Sequence, residues 1–199
     1  GCATATLLDP LLGTLADRLL SVCTCPVLVV KDAAAGPYQR ILTAFDFTPT
    51  SDAAAVVGAA LAPSAEKHFT HVFHSKHGGA SLRIKVSAHT LRRVRSREEA
   101  GVIAQMRRRV ATMGFDSREL HFAVSRGPSA STILSQQLIQ GADLVAVGRQ
   151  RRSKWLDALL GSVSRRVLAR SQGDVLVVPI QSASLVRTRA AAARRLAVD

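Results

Sequence analysis

The sequence predicts an α/β protein whose parallel β-sheet is covered by helices on both faces. Five short runs of β type, "RILTAF" (40–45), "THVFH" (70–74), "ELHFAV" (119–124), "DLVAV" (143–147) and "VLVVP" (175–179), alternate with stretches of helical period. Strands separated by helices pair in parallel through crossovers. A chain of 199 residues with 47% hydrophobic content is also long enough to fill the core of one such domain with appendages.

Each helix has a local reason. Thr48-Pro49 sets an N-cap residue and an N1 proline before an alanine-rich helix reaching about residue 62. From about 89 to 113, Ile103, Met106, Val110 and Met113 recur at helical spacing with arginines on the other face, and Gly114 stops the helix. Two further helices are expected at about 128–140 and 162–171. The stretch 75–88, with Gly78-Gly79 and no clear period, reads as a loop or lid.

Composition bounds the partners. A net charge of +13 and a pI near 11.3 make the surface attractive to polyanions such as nucleic acid, anionic lipid or nucleotides, the alternative being solvated arginine faces of helices. Aromatic content of 4% offers few platforms for stacking bases, which argues against single-strand binding. The longest apolar run falls far short of the roughly 20 residues of a membrane span, and no secretory signal opens the chain, so a soluble cytoplasmic protein is expected. Three cysteines, Cys2, Cys23 and Cys25, suit a reducing compartment.

Several constellations are weighed against plain structural roles. His68, His71, His74 and His77 recur every third residue, a spacing that on a helix would suggest a metal-binding face. They straddle an expected strand, where that spacing sends neighbours to opposite faces, so no metal is expected there. Cys23 and Cys25 would share one strand face as buried inert thiols. Asp46, Asp52 and Ser162 resemble a hydrolase set, but no histidine is placed to activate Ser162, and no catalytic residue is assigned.

An internal repeat organises the chain. "LDPLLGTLADRLLSVCTCPVLVVK" (8–31) lies without gaps over "LDALLGSVSRRVLARSQGDVLVVP" (156–179), offset by 148 residues and sharing the "VLVV" strand. The N-terminal segment therefore reads as the last helix and strand of a preceding copy whose body would lie before Gly1, and a chain that starts at Gly1 rather than Met reads as a fragment or processed product. The expected divisions are a remnant at 1–32, a linker at 33–38, a full domain at 39–182 and a basic alanine-rich tail at 183–199. The strands Val27–Val30 and Val175–Val178 are expected to pair antiparallel about a pseudo-twofold axis, because an exposed apolar edge otherwise invites aggregation. The alternative is a homodimer formed through 175–178.

The stretch "GRQRRSKWLDALLGS" (148–162) carries the candidate ligand site. Gly148 ends an expected strand and Gly161-Ser162 opens a helix. Glycines let backbone amides approach phosphate oxygens, and a helix start adds unpaired N–H groups with partial positive charge. Together with "ILTAFDFTPTSDAA", "HV", "GPSASTI", "GADLVAVG" and "LLGSVSRRVL…VLVVP", this stretch resembles the universal stress protein family over roughly 40–182, with 8–31 as the tail of another such domain.

The resemblance implies an open, parallel five-stranded sheet of order 3-2-1-4-5, Rossmann-like, and in nucleotide-binding members a loop written Gly-x-x-Gly-(nine)-Gly-Ser/Thr. It implies that ATP or a related adenine nucleotide, with its accompanying magnesium, meets Asp46 on the adenine or ribose side, Val72 at the adenine and Gly127 at the ribose. Gly148, Gly161 and Ser162 would hold the phosphates. Arg151 stands where the loop's second glycine belongs, and it either fills the phosphate site or binds the phosphate itself. The implied function is a stress-response module with at most slow nucleotide hydrolysis. The alternative is a nucleotide-free dimerising scaffold, or a basic protein that meets partner proteins or nucleic acid.

Overall fold

Apolar side chains that alternate across two faces build the centre of the sheet in this computed structural model. Its described residues are 20, 22–33, 36–73, 88–116, 120–149 and 161–184. The strands are β1 (Val27–Val29), β2 (Arg40–Ala44), β3 (Glu66–Phe73), β4 (Leu120–Arg126), β5 (Leu144–Arg149) and β6 (Asp174–Pro179). The helices among them are α1 (Pro49–Leu61), α2 (Ala88–Ala111), α3 (Ser129–Gln140) and α4 (Ser162–Arg170). Strand β3 begins at Glu66, earlier than the apolar run suggests, because its first residues are polar.

The spatial order is β1-β6-β5-β2-β3-β4. Strands β2 to β6 pair in parallel in the expected 3-2-1-4-5 order. The five-stranded parallel sheet expected from the sequence is nevertheless incomplete: the sheet has six strands and is mixed, because β1 adds antiparallel to β6. Val27 faces Val177, Leu28 faces Leu176 and Val29 faces Val175. Leu28 and Leu176 are equivalent positions of the repeat, so each copy of the strand meets the other about a local twofold centre.

Period-two alternation decides what each strand buries. Leu42, Val145, Val147, Val175 and Val177 pack with Ala130 and Ile133 of α3 and with Val167 and Leu168 of α4, and Leu20, Val27 and Val29 join them. On the opposite face Ile41, Ala146, Leu176 and Val178 meet Ala53 and Ala54 of α1, with Leu28 and Tyr38 alongside. Small residues along α1 let it approach the sheet closely. Thr48 caps α1 as expected, its hydroxyl accepting from the Ser51 amide at 3.3 Å. Met106, Val110 and Met113 are fully buried, and Gly114 adopts φ +79 just beyond the end of α2.

The segment leading into and out of β1 is tied down at both ends. The buried guanidinium of Arg149 donates to the carbonyls of Leu20 and Cys23, the latter at 2.7 Å. Beyond β1, the Lys31 amide donates to Asp174 Oδ1 at 2.8 Å and Lys31 Nζ donates to the Leu168 carbonyl at 2.6 Å, in the last turn of α4 where a cation is favoured. The Tyr38 hydroxyl donates to Asp174 Oδ2, and burial followed by that bond raises its pKa, keeping it a donor. One expectation fails here. Cys23 and Cys25 lie before β1 rather than on its face, and Cys25 is exposed, because pairing starts only after Pro26, which has no N–H to give.

Asp174→Ala would orphan two donors that hold β1 in place. It is expected to lower unfolding free energy by about 1–3 kcal/mol in urea titrations, with amide exchange at Leu28 and Val29 accelerating first; an unchanged midpoint would show that the ladder with β6 and the anchors at Arg149 and Leu168 hold β1 without Asp174.

Candidate functional site

Parallel pairing puts the carboxyl ends of β2 to β6 along one edge, the edge where open α/β sheets receive ligands. Asp46 follows β2, Gly127 follows β4, and Val72 and Gly148 are the second-last residues of β3 and β5, so four of the seven sequence-derived positions line this edge. Gly161 and Ser162 open α4, which returns from it. Arg151 falls outside the described residues, as do His74 and His77.

The turn after β2 is stiff. Asp46 is exposed, and its Oδ1 accepts from the Thr48 amide at 3.1 Å and from the Thr48 hydroxyl. Phe47 between them has φ +64, a left-handed conformation that is uncommon for a bulky residue. Its ring packs edge-on to Phe45, with centroids 5.3 Å apart, and against the His71 ring at 5.1 Å. His71 Nδ1 lies 2.8 Å from the Phe45 carbonyl, which can only accept, so Nδ1 carries the proton. Sequence reasoning gave Phe47 no role and weighed His71 only as one of the evenly spaced histidines, not against this turn. The histidine's register on β3 opposite the turn is the only signal that would have found it, and that register is a tertiary fact.

The glycines differ in what they do. A Cβ on Gly148 would stand 2.6 Å from the backbone carbon of Thr50, so this position holds β5 against the first turn of α1. Gly127 has φ +141, and a Cβ there would meet Thr132 Oγ1 at 2.9 Å. Gly161 caps α4 at φ −53, and among the described residues nothing lies within 4 Å of where a Cβ would project. The first amides of α4 have no intrahelical partner by the geometry of a helix start.

Two charged residues near this edge belong to the fold. Asp52, in the first turn of α1, is buried and receives Arg109 through Nε at 3.1 Å and Nη2 at 2.5 Å. That bond raises the guanidinium's pKa, and the pair ties α2 to α1, which removes Asp52 from any hydrolase set. Arg149 follows Gly148 as the last residue of β5, and its side chain is turned back to Leu20 and Cys23. A shallow cavity of about 370 Å³ lies beside the turn, lined by Phe47, Gln105, Arg108, Arg109 and Thr112.

An open α/β sheet of strand order 3-2-1-4-5 with helices on both faces defines a class of doubly wound domains. Comparison narrows the class: the universal stress protein family is matched over residues 37–179, and the chain belongs to that family. Among solved structures it is similar to a universal stress protein from Archaeoglobus fulgidus DSM 4304, with 23% identity and TM-score 0.57 over 85% of this chain and 55% of the other. The chain thus spans about half the length of that relative. It is also similar to the universal stress protein UspA from Lactobacillus plantarum, with 20% identity and TM-score 0.54 over 72% of this chain and 99% of the other. A universal stress protein solved in complex with cAMP matches with 20% identity and TM-score 0.50 over 73% of this chain and 99% of that one. No curated protein matches. No helix among the described residues is long and apolar enough to cross a membrane.

The contrast between the two loop glycines is measurable. Gly148→Ala must displace backbone and is expected to cost about 1–3 kcal/mol, whereas Gly161→Ala, with space available, should cost less than about 1 kcal/mol as a change at an N-cap. Thermal unfolding of both variants checks the order; equal losses would mean that Gly148 has no packing role.

Proposed function

We propose that this chain is a stress-response module that takes an adenine nucleotide, ATP or a relative with its magnesium, at the carboxyl edge of its sheet. One observation carries the reading: Asp46, Val72, Gly127 and Gly148 lie at the carboxyl ends of four adjacent strands, beside a helix start whose cap, Gly161, meets no described residue within 4 Å of where a Cβ would project. Glycine at such a position is explained by an approaching ligand. Asp46 and Val72 would meet the base and ribose, Gly127 the ribose, and Gly148, Gly161 and Ser162 the phosphates. The cAMP complex of a relative supports an adenine nucleotide as the ligand class. The protein acts by binding, in the cytoplasm, with hydrolysis at most slow.

The domain division goes with this reading: a remnant at 1–32, a linker at 33–38, a nucleotide domain at 39–182 and a basic tail at 183–199. The remnant occupies the edge through which a second copy would otherwise pair, as the antiparallel β1–β6 contact supports. A nucleotide-free scaffold is the second reading, favoured by the commitment of Arg149 to the N-terminal segment.

Calorimetry with ATP should show binding that Gly161→Val weakens by about tenfold or more while the fold is kept; no heat at about millimolar ATP, the weak end of specific binding, overturns the reading. Arg151→Gly separates the two roles of that side chain, since affinity rises if the arginine fills the phosphate site and falls if it is a phosphate ligand. Separately, the exposed Arg92, Arg93, Arg95, Arg97, Arg107 and Arg108 of α2 should give weak nucleic-acid association that is sequence-independent and falls steeply with salt in filter binding. Binding that survives moderate salt would contradict a purely electrostatic contact.

A further inference from the structure

At the opposite, amino end of the sheet, parallel pairing sets His68 of β3 directly beside His121 of β4, and Glu66 lies two residues before His68. Residues in register, or two apart on a strand, share a face, so all three side chains project to the side covered by α3. One ligand atom from each of the three lies within 4.8 Å of the others. We propose that Glu66, His68 and His121 form a binding site for a divalent transition metal of the zinc type, separate from the nucleotide edge.

The chemistry of the donors fits. Two imidazoles and a carboxylate are the ligand set of open zinc sites, which keep a fourth position for water. At zinc's bond lengths a tetrahedral pair of ligand atoms lies about 3.3 Å apart, and His68 Nε2 already lies 3.4 Å from Glu66 Oε2. The proton between those two atoms is what the metal replaces, the His68 imidazole passing to its Nδ1–H tautomer. His68 is 7% exposed, so its ring is held in place by the surrounding packing. Arg40 Nε holds Glu66 Oε2 at 2.9 Å and so orients the carboxylate from outside the ligand set.

One ligand has to move. The His68 and His121 rings are stacked at 4.5 Å with 14° between their planes, so their in-plane lone pairs do not converge. His121 is exposed and able to turn, whereas His68 is held. Without metal the trio is a histidine stack beside an Arg40–Glu66 ion pair. With metal, His121 swings to close the triangle, and the open coordination position faces solvent.

Zinc and cobalt(II) titrations of the 199-residue chain test this. One equivalent of Zn²⁺ should bind and raise the unfolding temperature, and bound Co²⁺ should give visible bands of a low-coordinate nitrogen–oxygen site without thiolate charge transfer. His121→Ala, at an exposed position, should leave metal-free unfolding unchanged and weaken binding by more than about tenfold, as should Glu66→Gln. Affinity unchanged in both variants, thiolate bands that vanish on Cys23→Ser/Cys25→Ser, or no Zn²⁺ binding at all would overturn the site. None of these outcomes bears on ATP binding, so the two readings fail independently.

Discussion

The close contact between Gly148 and the backbone of Thr50 is the constraint on which the ligand edge depends. A Cβ on Gly148 would overlap the peptide of α1's first turn, so only glycine lets β5 and α1 meet there. Seating that turn positions Thr48 as its cap, and Thr48 in turn engages Asp46. The same seating brings Asp52 to Arg109 and so locks α2 to α1. A single absent methyl group therefore sets the position of the turn after β2 relative to the start of the glycine loop.

The sheet's other lateral dependence is at β6. Its apolar residues are buried on both faces, and its free edge is covered by β1 in a register centred on two leucines at equivalent repeat positions. Apolar pairing supplies the contact, and polar anchors at Asp174 and Arg149 set its ends. Arg149 links this edge to the carboxyl end of β5, because the residue immediately after Gly148 is also the residue that holds the N-terminal segment. Segment and strand end share a side chain.

The two ends of the five parallel strands collect different groups. At the carboxyl edge lie the glycines Gly127 and Gly148 and the start of α4, where the proposed nucleotide would sit. At the amino end, in-register pairing of β3 and β4 gathers imidazoles and a carboxylate. The separation follows from strand direction alone, since a parallel sheet collects amino ends on one side and carboxyl ends on the other.

What the sequence determined by itself was whatever depends on neighbours along the chain: the periods of the helices, the cap at Thr48-Pro49, the stop at Gly114, the alternation of strands and helices, and, through the repeat, the strand that would meet β6. The glycines of the loop were legible too, but not their division of labour, because whether a glycine avoids a clash, as Gly148 does, or leaves open space, as Gly161 does, is known only when α1 is in place. The histidines show the same limit. Spacing along the chain grouped His68 with His71, which the pleat then separated, and could not group it with His121, which lies 53 residues away and beside it in the sheet. Contacts across strands are set by register, and register is a property of the packed sheet, chosen by which faces bury and therefore invisible until the chain has folded.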